Sequence, residues 1–131
     1  MNGYGNELFD AGMRLNEQVG SFFSGYTPLA SLLHGDLWSG NQGADSAGNP
    51  IIYDPACYYG DHEADLAMME LFGGPGQLFF QAYDEIFSID TGYHQRRELY
   101  NLYHILNHVN LFGGSYVTQA QRMIASLLAQ I

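Results

Sequence analysis

Residues 33–41 read Leu33-His34-Gly35-Asp36-Leu37-Trp38-Ser39-Gly40-Asn41, and the fold turns on this run. Leu32 and Leu33 make a short apolar strand. His34-Gly35-Asp36 then leads a polar loop that reaches Asn41. A second strand-like piece, Ile51-Ile52-Tyr53, ends on Asp54-Pro55. Between the two lies a polar turn, Asp45 to Pro50. Pairing of these strands as a hairpin brings Asp36, Asn41 and Asp54 together at the strand ends.

That convergence carries chemistry. It supplies one carboxylate to act as a base and two oxygen ligands for Mg²⁺, a hard cation held by few protein groups plus substrate phosphates. Phosphoryl transfer needs those parts: an Asp to take the proton of the attacking hydroxyl, and an Asn and a second Asp to hold the metal. Taken singly, Asp36, Asn41 and Asp54 are ordinary loop residues whose side chains bond nearby backbone. Their order is more specific. An H-x-D, an Asn five residues later and an Asp closing the next strand is the arrangement of the protein-kinase-like superfamily.

Outward from this centre the sequence is mostly helical. Leu8, Ala11, Leu15, Val19 and Phe22 recur at helical spacing and predict a helix over Asn6 to Phe23, ended by Gly25, Thr27 and Pro28. Ala64 to Phe72 predicts a helix stopped by Gly73-Gly74-Pro75, and Gln77 to Phe87 another. Leu99, Leu102, Tyr103, Leu106 and Val109 line one face of a helix over Gln95 to Asn110. Gly113-Gly114 breaks it. Ser115 or Thr118 then caps a last helix with Val117, Ala120, Ile124, Leu127, Leu128 and Ile131 as its stripe. The expected fold class is therefore mainly α (α+β), a helical bundle with a small β-hairpin carrying the catalytic and metal loops.

Charge limits the partners. The chain of 131 residues has net charge −10, four cations (Arg14, Arg96, Arg97 and Arg122) and no lysine. Nucleic acid and anionic membrane both call for clustered Lys and Arg, so neither is an expected partner. No stretch of eighteen apolar residues suits a membrane span, and the polar opening, Met1 to Asp10, lacks the apolar core of a signal peptide. Cys57 is the sole cysteine, which excludes an intrachain disulfide and suits a reducing, cytoplasmic setting. A small buried hydrophobe is the expectation for it. His104 and His108 stand at i, i+4, a zinc-compatible spacing, but no further Cys or His completes a site.

The quoted run resembles the catalytic loop of the fructosamine kinases (ketosamine-3-kinases). Residues 54–68, DPACYYGDHEADLAM, are similar to their metal loop and the helix after it. Residues 99–114, LYNLYHILNHVNLFGG, resemble a late helix of that family. Aminoglycoside phosphotransferases share the H-G-D and Asn pattern but do not usually carry the Leu37 to Gly40 filling or the Asp54 to Gly60 run. The resemblance spans about Gly3 to Leu128.

It implies Asp36 as catalytic base, Asn41 and Asp54 as Mg²⁺ ligands, and Asp65 and His34 as residues that brace the loop. Trp38 becomes a wall of the sugar-amine pocket, with Tyr58, Tyr59 and Glu63 as further candidates for substrate contact. Tyr58 and Tyr59 could equally cover the strand end, and Glu63 reads otherwise as a first-turn helix acid. The implied reaction is ATP-dependent phosphorylation of the 3-hydroxyl of ketosamines, the adducts of sugars with small-molecule or protein amines.

The resemblance also implies a departure. Family members place a glycine-rich loop, a phosphate-contacting Lys and its Glu partner in an N-terminal lobe. This chain, with no Lys, is expected to be the C-terminal catalytic lobe over residues 1–131, the ATP-binding lobe absent and activity alone small. The surface facing such a lobe would favour self-association. A small-molecule kinase of aminoglycoside or choline type, or a non-catalytic remnant, is the alternative.

Overall fold

The computed structural model describes residues 5–131. The first residues of the polar opening, and of the span of family resemblance, lie outside them. The order of elements is α1 (Asn6–Gln18), β1 (Ala30–Leu33), β2 (Gln42–Ala44), β3 (Pro50–Ile52), β4 (Tyr58–Asp61), α2 (Glu63–Leu71), α3 (Gln77–Ile86), α4 (Tyr93–Phe112) and α5 (Ser115–Leu128). A 3₁₀ segment, Val19–Phe23, continues α1, and a 3₁₀ turn, Ser39–Asn41, precedes β2. No described helix is long and apolar enough to cross a membrane.

The chain forms two compact units. One joins Met1–Tyr26 to His94–Ile131; the other is Thr27–Tyr93. In the first unit the apolar stripes anticipated for its helices meet. Leu8, Leu15 and Phe22 are buried, as are Leu102, Ile105 and Val109 of α4 and Ala120, Ile124 and Leu127 of α5. The face of α4 is turned from expectation: Tyr103 is exposed and Ile105 is fully buried. Burying such a side chain contributes about 1.5–3 kcal/mol. Arg96 is enclosed here. Its Nη1 donates to the Phe22 carbonyl at 3.1 Å, and its guanidinium sits 3.7 Å from the centre of the Tyr26 ring. α5 begins at Ser115 with Gly114 as its N-cap and no side-chain cap, so neither Ser115 nor Thr118 performs that task.

The second unit holds the four strands of the described residues, in a pairing that overturns the expected hairpin. Leu32 and Leu33 do not pair with Ile51 to Tyr53. β1 runs antiparallel to β4, with Leu33 opposite Tyr58 and Leu32 opposite Tyr59. β2 and β3 form their own antiparallel ladder, Gln42 opposite Ile52, nested between them in sequence. The physical reason is the turn. Asp45 Oδ1 accepts the amides of Ala47 and Asn49 at 2.8 and 2.9 Å, and Gly48 N–H donates to the Asp45 carbonyl at 3.0 Å. That turn closes a short loop at small entropic cost and commits Ile51 and Ile52 to their near neighbour. β1 then takes the later strand.

The core of this unit is Leu66, Met69 and Tyr93, against which Leu37, Phe80, Tyr83 and Ile89 pack. Tyr93 also donates its hydroxyl proton to Glu70. Cys57, expected inside, is exposed: it precedes β4, where the chain lies at the surface.

Candidate active site

Leu37 enters the core beside Asp36 and so anchors the loop from below. Three polar ties then shape it. First, Asp65, in the opening turn of α2, accepts the backbone N–H of His34 at 2.7 Å and of Gly35 at 2.9 Å, one on each carboxylate oxygen. Second, His34 Nε2 lies 2.8 Å from the Tyr53 carbonyl. A carbonyl only accepts, so Nε2 carries the proton. Nδ1 is then the acceptor for the Asp36 N–H, at 3.3 Å. The neutral ring thus joins the residue before Asp54 to the backbone of Asp36. Third, Asn41 Nδ2 donates to both the carbonyl and Oδ2 of Asp36, at 2.9 and 3.0 Å.

Backbone closes the frame. Ala56 N–H donates to the His34 carbonyl at 2.8 Å, and Tyr53 N–H to the Asn41 carbonyl at 3.1 Å. The loop ending in Asn41 and the segment through Asp54 are therefore bound together although their strands do not pair as expected. Asp54 has φ +52°, unique among described non-glycine residues in being positive. Asp tolerates this left-handed conformation better than most residues, and such strain collects at functional positions. Gly35, at φ +83°, meets a different demand: a Cβ there would fall 2.1 Å from the Ala56 carbonyl oxygen.

The other expected residues are placed unevenly. Trp38 is 40% exposed, and its indole lies against Gly40. The Tyr58 ring borders Gly35, while Tyr59, the next residue on β4, faces the opposite way and stands in solvent. Glu63 has no exposed surface, so it does not meet a substrate arriving from outside. It is a first-turn acid of α2, with Asp61 Oδ1 accepting its N–H at 3.0 Å.

Beneath the loop is an open cavity of about 700 Å³, bordered by Leu37, Ser39 and Asp65 and by Ile51, Ile52 and Tyr83. Tyr83 Oη lies 2.9 Å from His62 Nδ1. Burial, with the charges of Asp65 and Asp61 adding to it, raises the Tyr83 hydroxyl above the usual phenol range. Sequence reasoning passed over this pair, and also over Leu37 as anchor and the Tyr53 carbonyl as a partner. A Gly between His34 and Asp36 was the one available signal of the tight approach to Ala56.

The donor set suits a hard cation. Because the Asn41 amide nitrogen is engaged with two acceptors of Asp36, its Oδ1 is the end available to a metal. Asp54 follows Tyr53, whose N–H bonds the Asn41 carbonyl, and its side chain is the carboxylate of this segment. Among the described residues no three His, Cys, Asp or Glu side chains form a metal cluster. A partial set of oxygens is what Mg²⁺ uses when phosphates and water complete its shell.

Comparison with known proteins matches this chain to a family. The fructosamine kinase family model fits residues 2–130. A probable ketoamine kinase of Vibrio parahaemolyticus is 52% identical over 111 residues, covering 85% of this chain and 38% of that protein. The chloroplastic protein-ribulosamine 3-kinase of Oryza sativa subsp. japonica is 44% identical over 124 residues, 95% of this chain and 36% of the relative. A crystal structure from Thermobifida fusca described as a fructosamine-3-kinase superposes with TM-score 0.77 at 32% identity, over 98% of this chain and 48% of that one. The chain thus spans less than half the length of each of these relatives, and it belongs to the fructosamine kinase family.

Proposed function

We propose that this chain carries the acceptor-side machinery of an ATP-dependent kinase that phosphorylates the 3-hydroxyl of ketosamines. The observation that carries the reading is the Asp36 carboxylate, oriented by Asn41 in a loop that Asp65 and His34 tie to the Asp54 segment. With Oδ2 held by Asn41, Oδ1 accepts the proton of the substrate hydroxyl. The hydroxyl oxygen forms its bond to the γ-phosphorus of ATP as the bond to ADP breaks. Asn41 and Asp54 would hold Mg²⁺, which when bound neutralises charge on the phosphates. The network acts by positioning, since little covalent work falls to the protein in such transfers.

The names of the relatives support the substrate class, ketoamine in one and protein-ribulosamine with a 3-kinase activity in another. With no Lys in the chain, the Lys contact to the ATP phosphates is made by groups outside these residues, which we read as the helical lobe of the family's enzyme. Turnover by the chain alone is accordingly small. Exposed Leu32, Ile52, Leu78 and Ile86 favour its self-association. Its single cysteine, exposed and unpaired in a disulfide, suits the cytoplasm.

The test replaces the matching residues of the Vibrio ketoamine kinase with this chain and follows N-fructosylglycine with Mg²⁺–ATP by ³¹P NMR. A 3-phosphate is expected, reduced about 10²–10⁴-fold by Asp36→Asn. A folded chimaera that phosphorylates another hydroxyl, or is indifferent to Asp36→Asn, refutes the proposal.

A further inference from the structure

We propose that Gly40 is the positioning residue for Trp38: by lacking a side chain it seats the indole face-on against the loop, and the outer face so presented receives the amine end of the ketosamine. The inference rests on the function proposed above and deepens it.

The geometry at Gly40 differs from that at Gly35. A Cβ at position 40 would fall 2.2, 2.3 and 2.6 Å from Cη2, Cζ2 and Cζ3 of Trp38. Near-equal distances to three consecutive ring atoms place that point above the ring face, not beyond its edge. The three nearest atoms all belong to the far end of one side chain. Gly40 is not among the glycines of positive φ, and it sits in the 3₁₀ turn Ser39–Asn41, where Ala is at ease. The backbone therefore does not require glycine here; the indole does. Gly35, in contrast, opposes backbone and has positive φ.

With ring atoms seated over Gly40, Trp38 still leaves 40% of its surface exposed, two residues from Asp36. An indole face attracts cations and packs on the C–H faces of sugars. A ketosamine offers both, a protonated secondary amine joined to a sugar carbon chain. The net charge of −10 favours such a cation further. Gly40 thereby fixes the distance between the amine site and the base, and selects acceptors that carry a cation beside the reacting sugar.

Trp38 is the sole tryptophan, so its fluorescence reports on it alone. Without ligand, Gly40→Ala is expected to raise acrylamide quenching about twofold as the indole leaves its seat. Its circular dichroism and melting temperature should match the parent. Calorimetric titration of the chain with N-fructosylglycine should then show binding about tenfold weaker in Gly40→Ala, and weaker still in Trp38→Leu. Unchanged quenching in Gly40→Ala overturns the seat. A displaced indole with unchanged affinity overturns the amine site. A parent chain that does not bind N-fructosylglycine, yet shows the quenching change, sinks the ketosamine reading and leaves Gly40 as the seat of Trp38.

Discussion

The carboxylate of Asp65 reaches back across thirty-one residues to the backbone amide of His34, 2.7 Å away, and its other oxygen takes the amide of Gly35. One side chain at the start of α2 thus holds the entry to the loop that carries Asp36. Hydrogen bonds to a charged acceptor are worth about 1.5–3 kcal/mol each, and a buried amide left without one is costly. Asp65→Ala is therefore expected to destabilise the Thr27–Tyr93 unit by roughly 2–4 kcal/mol. Urea denaturation measures the loss, and hydrogen exchange should accelerate at His34 and Gly35 ahead of the helices. Equal protection in parent and variant would deny the brace.

Gly35→Ala meets two obstacles together, a positive φ and a Cβ 2.1 Å from the Ala56 carbonyl oxygen. Relief requires movement of backbone that also bonds the His34 carbonyl. The expected cost is above about 2 kcal/mol, read as a lowered melting temperature, whereas Gly40→Ala should melt like the parent. Similar melting of both variants would contradict the distinction drawn between the two glycines.

Asp54 keeps a left-handed backbone ahead of a proline, at φ +52°. Glycine adopts that conformation without penalty. Asp54→Gly should therefore be neutral or stabilising by up to about 1 kcal/mol, while phosphorylation in the chimaera is lost. A strongly destabilised Asp54→Gly would show that the side chain serves the fold and not the metal loop.

Tyr83 gives the alkaline limb of stability. Its hydroxyl, raised by burial and then by Asp65 and Asp61, holds its proton in the folded state beyond the pH at which the unfolded chain releases it. The unfolded state then binds fewer protons, so stability falls as pH rises. The contribution is complete below about pH 10, the ordinary phenol value, and is lost as pH climbs through the raised one. Tyr83→Phe should flatten this decline and cost about 1 kcal/mol at neutral pH through the lost bond to His62. Chemical denaturation across pH 8–11 compares the two, about the phenol range; parallel curves would reject the assignment.

Much of the architecture was legible from spacing. The helices over Ala64 to Phe72 and Gln77 to Phe87 stand within a residue or two of expectation, and Gly73-Gly74-Pro75 separates them as read. Residue order likewise marked Asp36 and Asn41, which a side-chain bond joins, and Asp54, whose neighbour Tyr53 is bonded to the Asn41 carbonyl. The partner of each strand was not legible. Leu32-Leu33 and Ile51-Ile52 are short apolar runs that fit either ladder, and alternation says nothing of which neighbour accepts them.

By itself, then, the sequence determined the helical frame, which follows from local periodicity, and, through its resemblance to known relatives, the family. Only the tertiary structure decided that β1 takes β4, that Glu63 is sealed inside, that Cys57 is outside and that Asp65 holds His34 and Gly35. Those outcomes depend on contacts between residues distant in the chain, where the entropy of closing a loop competes with burial and hydrogen bonding, and no local pattern records which arrangement wins.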